Sequence, residues 1–356
     1  MPGHDAAYGA GTGADGPGEG PGGGAPTRRS GPSGGAGPSS ASGVSGVAGR
    51  RGSARRAARA LRDREYSPSS LVPDMRRHLA AYAERSALAR QRLPWRELAY
   101  GPGPAERLHF FPAAGSTDLD GTPGPDGGDA GGPVPLQVYV HGGYWLELSK
   151  EDSAFAAPDF AARGAAFAAL GYGLAPAHRL DEIVAMVRRG VLWLYRHAPD
   201  LGVDPARIFL SGSSAGAHLA AMCLLDNWLP APLRPAHVVR GATLLSGVYD
   251  LEPLRHTYVG DDVRLTRAEA ARNSPIRYAH EGFPPVVVAR GDNETGAFAA
   301  QHDRFVAALT GRGVPVTDLV ARPRHHFDLP LDLGDPGTEL GRATLSLMGL
   351  PARPSG

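Results

Sequence analysis

From Tyr66 onward the chain alternates short apolar runs with stretches of helical periodicity. Six of these runs have the length and composition of buried strands: LQVYVHGG, AAFAALGYG, RIFLSGS, GATLLSGV, PPVVVARG and VTDLVAR. Between the second and third, DEIVAMVRRGVLWLYRHA repeats apolar residues at helical spacing and has acids in its first turn. Apolar strands that alternate with helices predict an α/β fold, with a mostly parallel central sheet covered by helices on both faces.

Further elements precede these runs. The segment SSLVPDMRRHLAAYAERSALARQR predicts an N-terminal helix, and WRELAYG with RLHFFPA predicts a pair of strands. A loop rich in Gly, Asp and Pro follows the pair, GSTDLDGTPGPDGGDAGGP. Its length predicts a mobile excursion within one domain rather than a boundary between two.

Residues 1–65 differ in composition from the rest. Seventeen of the 49 glycines lie in the first fifty positions, among Pro, Ser and Ala. Such a segment buries too little surface to offset its ordering entropy, so we expect a disordered Gly/Pro/Arg-rich tail over 1–65 and one catalytic domain over 66–352. Four arginines near the end of the tail would share one helical face: Arg51, Arg55, Arg59 and Arg62. They indicate either a solvated linker or a surface for an anionic partner.

The charges of the chain are balanced. Lys+Arg total 37 against 36 Asp+Glu, a formal net charge of +1, so nothing indicates that the domain binds nucleic acid or a membrane. A single cysteine, Cys223, excludes an intramolecular disulfide and a multi-cysteine metal site. Neither a membrane span nor the apolar core of a signal peptide occurs. We therefore expect a cytoplasmic protein that acts on a small molecule without a metal or other cofactor.

The segment IFLSGSSAGAHLAAMCLL carries the strongest chemical signal. Its Gly212–Gly216 stretch fits G-x-S-x-G between an apolar strand and an apolar helix, the context of a nucleophile elbow. The central residue, Ser214, is the candidate nucleophile, and the alternative is a decayed elbow in a non-catalytic protein. Residues 31–35 also fit the pattern, but no strand precedes them.

A serine hydroxyl needs a general base, and in hydrolases with this elbow the chain order is Ser, acid, His. Among the histidines after Ser214, only those in VARPRHHFDLP follow the last predicted core strand. His325 and His326 are therefore both candidates for the base. A metal site at His325, His326 and Asp328 is disfavoured because no further ligands occur at metal-site spacing.

The acid that orients the base should follow the preceding strand. PPVVVARGDNETGAF offers Asp292 and Glu294 there, and Asp250 follows the strand before it. Asp292 comes directly after the turn glycine, whereas Glu294 has more room to swing back toward the histidine. Spacing alone does not decide which of the three carboxylates is the acid.

Several segments together resemble one family: HGGYW, KEDSAF, YGLAP, LDEIVAMVRR, GSSAGAHLAAM, ARGDNETGAF and HHFDL look like the arylformamidases (kynurenine formamidases), which are α/β hydrolases. The resemblance extends from Tyr66 to about Leu329. It implies an α/β-hydrolase fold that cleaves an N-formyl arylamine of the N-formylkynurenine type, in tryptophan catabolism, through a Ser-His-acid triad and a formyl-enzyme intermediate. The alternatives are a carboxylesterase with the same triad and a non-catalytic hydrolase-like binding protein.

The resemblance also implies roles for particular residues. Ser214 would be the nucleophile, and the histidine directly before Phe, His326, would be the base. The acid would lie three residues past the strand-end glycine, which selects Glu294 over Asp292, although aspartate is common in relatives. Backbone N–H groups at four positions would contribute to the oxyanion hole: Gly142, Gly143, Tyr144 and Ala215.

His141 begins the HGGYW segment, at the end of an apolar strand. Because it precedes Ser214 in the chain and lies on the loop that would supply oxyanion donors, we expect it to shape that loop rather than act as the base. Four aromatic residues could present their faces to the substrate or, equally well, pack in the core: Tyr144, Trp145, Tyr172 and Tyr249.

Overall fold

The computed structural model of the protein describes three stretches of chain: residues 44–115, 132–226 and 228–351, with side chains from residue 53 onward. The first 43 residues of the predicted tail lie outside the described residues, as do residues 116–131 of the predicted loop excursion. Among the helices that are described, none is both long and apolar enough to cross a membrane.

Ten α-helices lie within the described stretches: α1 (Val44–Glu65), α2 (Arg76–Arg92), α3 (Ala157–Ala161), α4 (Leu180–His197), α5 (Ala215–Cys223), α6 (Pro235–Val238), α7 (Tyr258–Asp262), α8 (Arg267–Arg272), α9 (Gly296–Thr310) and α10 (Glu339–Met348). Short 3-10 helices connect them at Pro68–Leu71, Lys150–Asp152, Pro199–Leu201, Pro253–His256, Pro275–Tyr278 and Leu329–Asp332. The predicted N-terminal helix is α2, and the predicted amphipathic helix is α4.

The described residues also form eight strands: β1 (Arg96–Ala99), β2 (Arg107–Phe111), β3 (Val134–Val140), β4 (Ala166–Leu170), β5 (Val203–Ser213), β6 (Gly241–Leu245), β7 (Val286–Asn293) and β8 (Val316–His325). They make one sheet in the order β1-β2-β4-β3-β5-β6-β7-β8. The β1–β2 and β2–β4 pairs are antiparallel, and all later neighbours are parallel. The predicted α/β fold with a mostly parallel sheet is confirmed.

Alternate residues of the central strands face opposite helical layers. Leu136, Val138 and Val140 of β3 belong to a core shared with α4, α5 and α9. Tyr139 points to the other face, into a core shared with α2, α3 and α10. Because both faces are covered, these strands are apolar at almost every position, which explains why they are recognisable in the sequence.

The folded domain begins earlier than the predicted boundary at residue 66. The second of the two units of the chain is Arg51–Gly356, and the first, Met1–Arg50, is described only as helical backbone over residues 44–50. The end of α1 binds the domain: Asp63 Oδ1 accepts a 2.9 Å hydrogen bond from Tyr258 N, and Glu65 Oε2 accepts one of 3.0 Å from Ala297 N. The composition of this segment did not predict that it is folded, because the carboxylates of Asp63 and Glu65 make these contacts and apolar side chains do not.

Candidate active site

Ser214 lies in the turn between β5 and α5, at the carboxyl edge of the sheet. Its backbone φ of 55° and ψ of −116° lie outside the regions that non-glycine residues favour. Its N–H donates a 2.8 Å hydrogen bond to Leu245 O, and its carbonyl accepts one of 3.1 Å from His218 N. The strained residue is therefore tied to the sheet on one side and to the helix on the other.

The glycines on either side of Ser214 permit this turn. A Cβ on Gly212 would lie 2.4 Å from the carbonyl carbon and oxygen of Gly216. A Cβ on Gly216 would lie 2.0 Å from the carbonyl oxygen of Val140, the last residue of β3. No side chain fits at either position, so these glycines let β3, β5 and the start of α5 approach one another closely.

Glu294 and His326 meet where β7 and β8 end. In these neighbouring parallel strands the last residues, Asn293 and His325, pair with each other, and Glu294 and His326 directly follow them. Glu294 Oε2 lies 3.1 Å from His326 Nδ1. The sheet register thus brings together two side chains that are 32 residues apart in the chain.

The Glu294 carboxylate is buried, and both of its oxygens have hydrogen-bond partners. Its other oxygen, Oε1, accepts hydrogen bonds from Ser246 Oγ and, at 3.0 Å, from Gly291 N. Burial alone would raise the pKa of Glu294, but attraction to His326 and the hydrogen bonds from His326, Ser246 and Gly291 outweigh it, so the pKa lies below its usual range. Glu294 is therefore a carboxylate at neutral pH.

The other two carboxylates that sequence reasoning left open have different partners. Asp292 is exposed, and its Oδ1 accepts a 3.1 Å hydrogen bond from Arg324 N. Asp250 Oδ2 accepts one of 2.8 Å from Arg304 Nη2. Of the three candidate acids, Glu294 is the one whose carboxylate reaches His326.

The two adjacent histidines also differ in their neighbours. The His325 N–H donates a 2.7 Å hydrogen bond to Asp328 Oδ1, and its Nδ1 accepts one of 3.1 Å from Phe327 N. His326 Nδ1 instead faces Glu294. His325 Nδ1 also lies 3.4 Å from Asp328 Oδ1, so the two adjacent rings face different carboxylates.

The HGG loop after β3 lies against the elbow. A Cβ on Gly142 would lie 2.8 Å from Ser213 O and 3.5 Å from Ser214 Cβ. Gly143 has a φ of +91°, and a Cβ there would lie 2.2 Å from Glu147 O. Glycine at both positions therefore allows the backbone of this loop to pass next to Ser214.

The predicted oxyanion donors share one property. Among the described residues outside regular helix and strand bonding, no acceptor is found for the backbone N–H of Gly142, Gly143, Tyr144 or Ala215. Ala215 is the first residue of α5, where the helix itself provides none. Gly142 and Ala215 both adjoin Ser214, and Tyr144 follows Gly143 with a φ of 50°. The arrangement can present backbone donors to an oxygen atom bound next to the serine.

His141, the first residue of the HGG loop, is buried. Its Nδ1 lies 3.0 Å from Gly142 O, and its ring stacks on that of Tyr172 with 4.0 Å between centroids. Burial lowers the pKa of His141 to about 4, so the ring is neutral at physiological pH. The Tyr172 hydroxyl donates to His141 O at 2.8 Å. These contacts fit the predicted loop-shaping role, and they add Tyr172 to it.

The remaining predicted pocket residues are buried. Trp145 and Tyr249 are both 0 % exposed, and Tyr172 is 4 % exposed. Trp145 packs edge-on to His218, with 5.1 Å between ring centroids, and Tyr249 stacks on Phe305 at 3.9 Å. These positions favour packing in the core over direct contact with a substrate.

Sequence reasoning missed Ser246, which donates to Glu294. Ser246 directly follows β6, and its φ of 48° marks a tight turn there. The sequence does contain a signal for Ser246. It is a polar residue at the carboxyl end of β6, and the carboxyl ends of parallel strands meet at the edge of the sheet where Ser214 and Glu294 lie. Tyr144 has a further unpredicted contact: its hydroxyl donates a 2.6 Å hydrogen bond to Tyr66 O.

Comparison with known proteins identifies the family of the chain. A family model described as BD-FAE matches residues 127–229, which include the HGG loop and the elbow. Kynurenine formamidase of Danio rerio is 32% identical over 300 residues, which cover 80% of this chain and 94% of the relative. Esterase LipQ of Mycobacterium tuberculosis is 30% identical over 257 residues, covering 65% of this chain and 57% of LipQ.

A solved structure shares the architecture. Esterase LipW from Mycobacterium marinum superposes with a TM-score of 0.57 at 20% identity, covering 80% of this chain and 88% of LipW. This likeness shows the fold alone. The Danio rerio relative matches over nearly its whole length at an identity that shows common family. The chain is therefore an α/β-hydrolase enzyme and belongs to the kynurenine formamidase family.

Proposed function

We propose that this enzyme hydrolyses the formamide bond of an N-formyl arylamine, with N-formylkynurenine as the expected substrate. Ser214 would act as the nucleophile, His326 as the base and Glu294 as the acid. The observation that carries the proposal is the 3.1 Å contact between His326 Nδ1 and the buried Glu294 carboxylate, at the sheet edge where Ser214 occupies its strained turn. Identity of 32% to a kynurenine formamidase supports the choice of substrate.

The first step is attack on the formyl carbon. A proton on His326 Nδ1, donated to Glu294, leaves the lone pair of Nε2 to take the proton of the Ser214 hydroxyl. The Ser214 oxygen then bonds to the formyl carbon, and the carbonyl oxygen becomes an oxyanion. The ionised Glu294 stabilises the imidazolium that forms, which is why its lowered pKa matters.

Backbone donors would hold the oxyanion. The N–H groups of Gly143 and Ala215 are expected to supply the two main hydrogen bonds, with Gly142 and Tyr144 on the same loop. A donor of this kind typically contributes about 3 kcal/mol to stabilisation of the transition state. The buried His141 and Tyr172 contact the HGG loop, and these contacts support donors that would be in place before the substrate arrives.

The second half of the cycle releases both products. The protonated His326 gives its proton to the aryl nitrogen, the C–N bond breaks, and the arylamine leaves a formyl ester on Ser214. Water then attacks this ester while His326 takes its proton. Collapse of the second oxyanion breaks the bond to the Ser214 oxygen, which takes back the proton from His326, and formate leaves.

A comparison of substrates tests the proposal. The purified protein is assayed with N-formylkynurenine and with p-nitrophenyl acetate, and Ser214 is labelled with a fluorophosphonate probe. We expect turnover of the formamide and covalent labelling at Ser214. Turnover of the ester without hydrolysis of the formamide would contradict the substrate assignment, and loss of labelling would contradict the nucleophile.

A carboxylesterase acting on small acyl or aryl esters is the second candidate. The 30% identity to esterase LipQ favours it, although the match covers 57% of that protein. The proposed acyl chemistry is the same in both cases, and the two functions differ in the leaving group. The ratio of kcat/KM for the formamide to that for the ester distinguishes them.

A further inference from the structure

A cleft lies at the far end of α5 from Ser214. It has a volume of about 980 Å³ and is lined by α4, the segment that follows α5 and the 3-10 helix Pro275–Tyr278. Since α5 contains nine residues, its ends are about 13 Å apart at ~1.5 Å per residue. The cleft is thus distinct from the proposed active site and as large as the larger small-molecule sites of proteins.

The cleft carries an excess of positive charge. Five arginines and two aspartates line it: Arg188, Arg189, Arg272, Arg277 and Arg312 against Asp181 and Asp226. Asp181 accepts a 3.0 Å hydrogen bond from Arg272 Nε, and Arg189 pairs with Glu106. Among the described residues, three of the arginines have no carboxylate partner: Arg188, Arg277 and Arg312.

Arg188 is the best-positioned of these cations. Its Nε and Nη2 donate hydrogen bonds of 3.1 and 2.6 Å to Met222 O, and its guanidinium lies 5.5 Å from the centroid of the Trp228 ring. Burial lowers the pKa of Arg188. A carbonyl dipole and an aromatic face provide only partial negative charge. A fixed, partly desolvated guanidinium without a counterion is therefore suited to binding an anion.

Two aromatic side chains also line the cleft. The Trp228 Nε1–H donates a 3.1 Å hydrogen bond to Cys223 O, which fixes the indole at the end of α5. Tyr278 is 46 % exposed and, with Trp95, is one of two exposed Phe, Tyr or Trp residues in the described part of the chain; its hydroxyl donates to Ala271 O at 3.2 Å. Together they provide flat apolar surface in a cleft that also binds charge.

We propose that this cleft binds a small aromatic carboxylate, with the carboxylate at Arg188 and the ring against Trp228 and Tyr278. The carboxylate would supply the counterion that Arg188 lacks, through the charge-assisted bonds that guanidinium groups form with planar anions. None of Ser214, His326 and Glu294 lines the cleft, so this inference stands independently of the proposed catalytic function.

Isothermal titration calorimetry with 2-naphthoate tests the proposal. We expect saturable binding to the full-length protein, with the same Kd in Ser214→Ala. Arg188→Met should weaken binding by about tenfold or more, because it removes a charge-assisted hydrogen bond. Arg342→Gln is the matched control: Arg342 is exposed on α10, which packs on the opposite face of the sheet, and its removal should leave the Kd unchanged.

Two further measurements test the site if Arg188→Met fails to fold. The surface double variant Arg277→Gln/Arg312→Gln should weaken naphthoate binding, and the neutral analogue 2-naphthamide should bind wild type at least about tenfold more weakly. Absence of naphthoate binding, equal affinity for the amide, or an unchanged Kd in the double variant would overturn the site. Inorganic phosphate that binds as tightly as naphthoate would overturn the aromatic part of the ligand.

Discussion

His326 Nδ1 lies 3.1 Å from Glu294 Oε2 because the two residues follow a directly paired position, Asn293 with His325, in neighbouring parallel strands. The contact therefore follows from the pairing of the two strand ends, which comes after a register shift between Gly291 and Asn293. The second Glu294 oxygen accepts from Ser246 and Gly291. A carboxylate held at both oxygens can fix the orientation of the imidazole, which is what a triad acid must do.

Replacement of the proposed acid should be far more costly than replacement of its neighbour. Glu294→Gln should lower kcat by about 10²–10⁴-fold, since the imidazole loses both its orientation and its stabilising charge. Asp292→Asn should stay within about threefold of wild type, because Asp292 is exposed. Steady-state kinetics on both variants, with circular dichroism to check folding, measures this, and a larger loss at Asp292 would reject Glu294 as the acid.

The lowered pKa of Glu294 makes a prediction for stability. Its ionised form stabilises the fold above the unfolded-state pKa of about 4.3, and this contribution is lost as the pH falls through the lower folded-state pKa. The free energy of unfolding of wild type, relative to Glu294→Gln, should therefore decrease from about pH 6 to about pH 3. Urea titrations of both proteins measure it. A difference that is constant or grows toward acid pH would contradict the direction of the shift.

His141 should affect the shape of the site and not its proton transfers. His141→Ala should lower kcat/KM, because the HGG loop loses the ring that stacks on Tyr172 and bonds to Gly142 O. The variant should still react with a fluorophosphonate at Ser214, since the base is elsewhere. Mass spectrometry of the labelled peptide measures this outcome. An intact fold that no longer labels would assign His141 a more direct role.

Glycine at position 143 should be required for activity. A Cβ there would lie 2.2 Å from Glu147 O, whereas a Cβ on Gly164, which has a similar φ of +73°, would have no neighbour within 4 Å. Gly143→Ala should reduce kcat by about 10²-fold or more by displacing an oxyanion donor. Gly164→Ala should keep its activity and lose about 1 kcal/mol of stability through backbone strain alone. Equal activity in the two variants would exclude the HGG loop from the oxyanion hole.

The fold could be predicted from the sequence because strands buried on both faces are continuous apolar runs, as in Ala166–Leu170. The elbow at Ser214 could be predicted because its glycines occur between a strand and a helix. Contacts that depend on the order of strands in the sheet were not predicted: Ser246 reaches Glu294 because β6 lies beside β7. Spacing along the chain likewise did not decide whether Asp292 or Glu294 is the acid. The two differ in the direction of the side chain: Glu294 faces His326, whereas Asp292 accepts a hydrogen bond from Arg324 N.

Other features were missed or left open because composition does not report them. The end of α1 has few apolar residues, and it joins the domain through the carboxylates of Asp63 and Glu65. For the aromatic residues Trp145 and Tyr249, the sequence left contact with the substrate and packing in the core equally open, and both are buried in the core. Burial of an aromatic ring follows from the packing of helices that are remote in the chain, which a local pattern does not contain.

The central claim is that Ser214 attacks a formamide. The most direct test is kcat/KM for N-formylkynurenine in wild type and in Ser214→Ala, with formate and the arylamine quantified together. We predict equimolar release of the two products by wild type and a loss of about 10³-fold or more in the variant, since removal of a triad nucleophile leaves only the catalysis of the oxyanion hole and binding. Absence of formamide hydrolysis by wild type, or the same rate in Ser214→Ala, would contradict it.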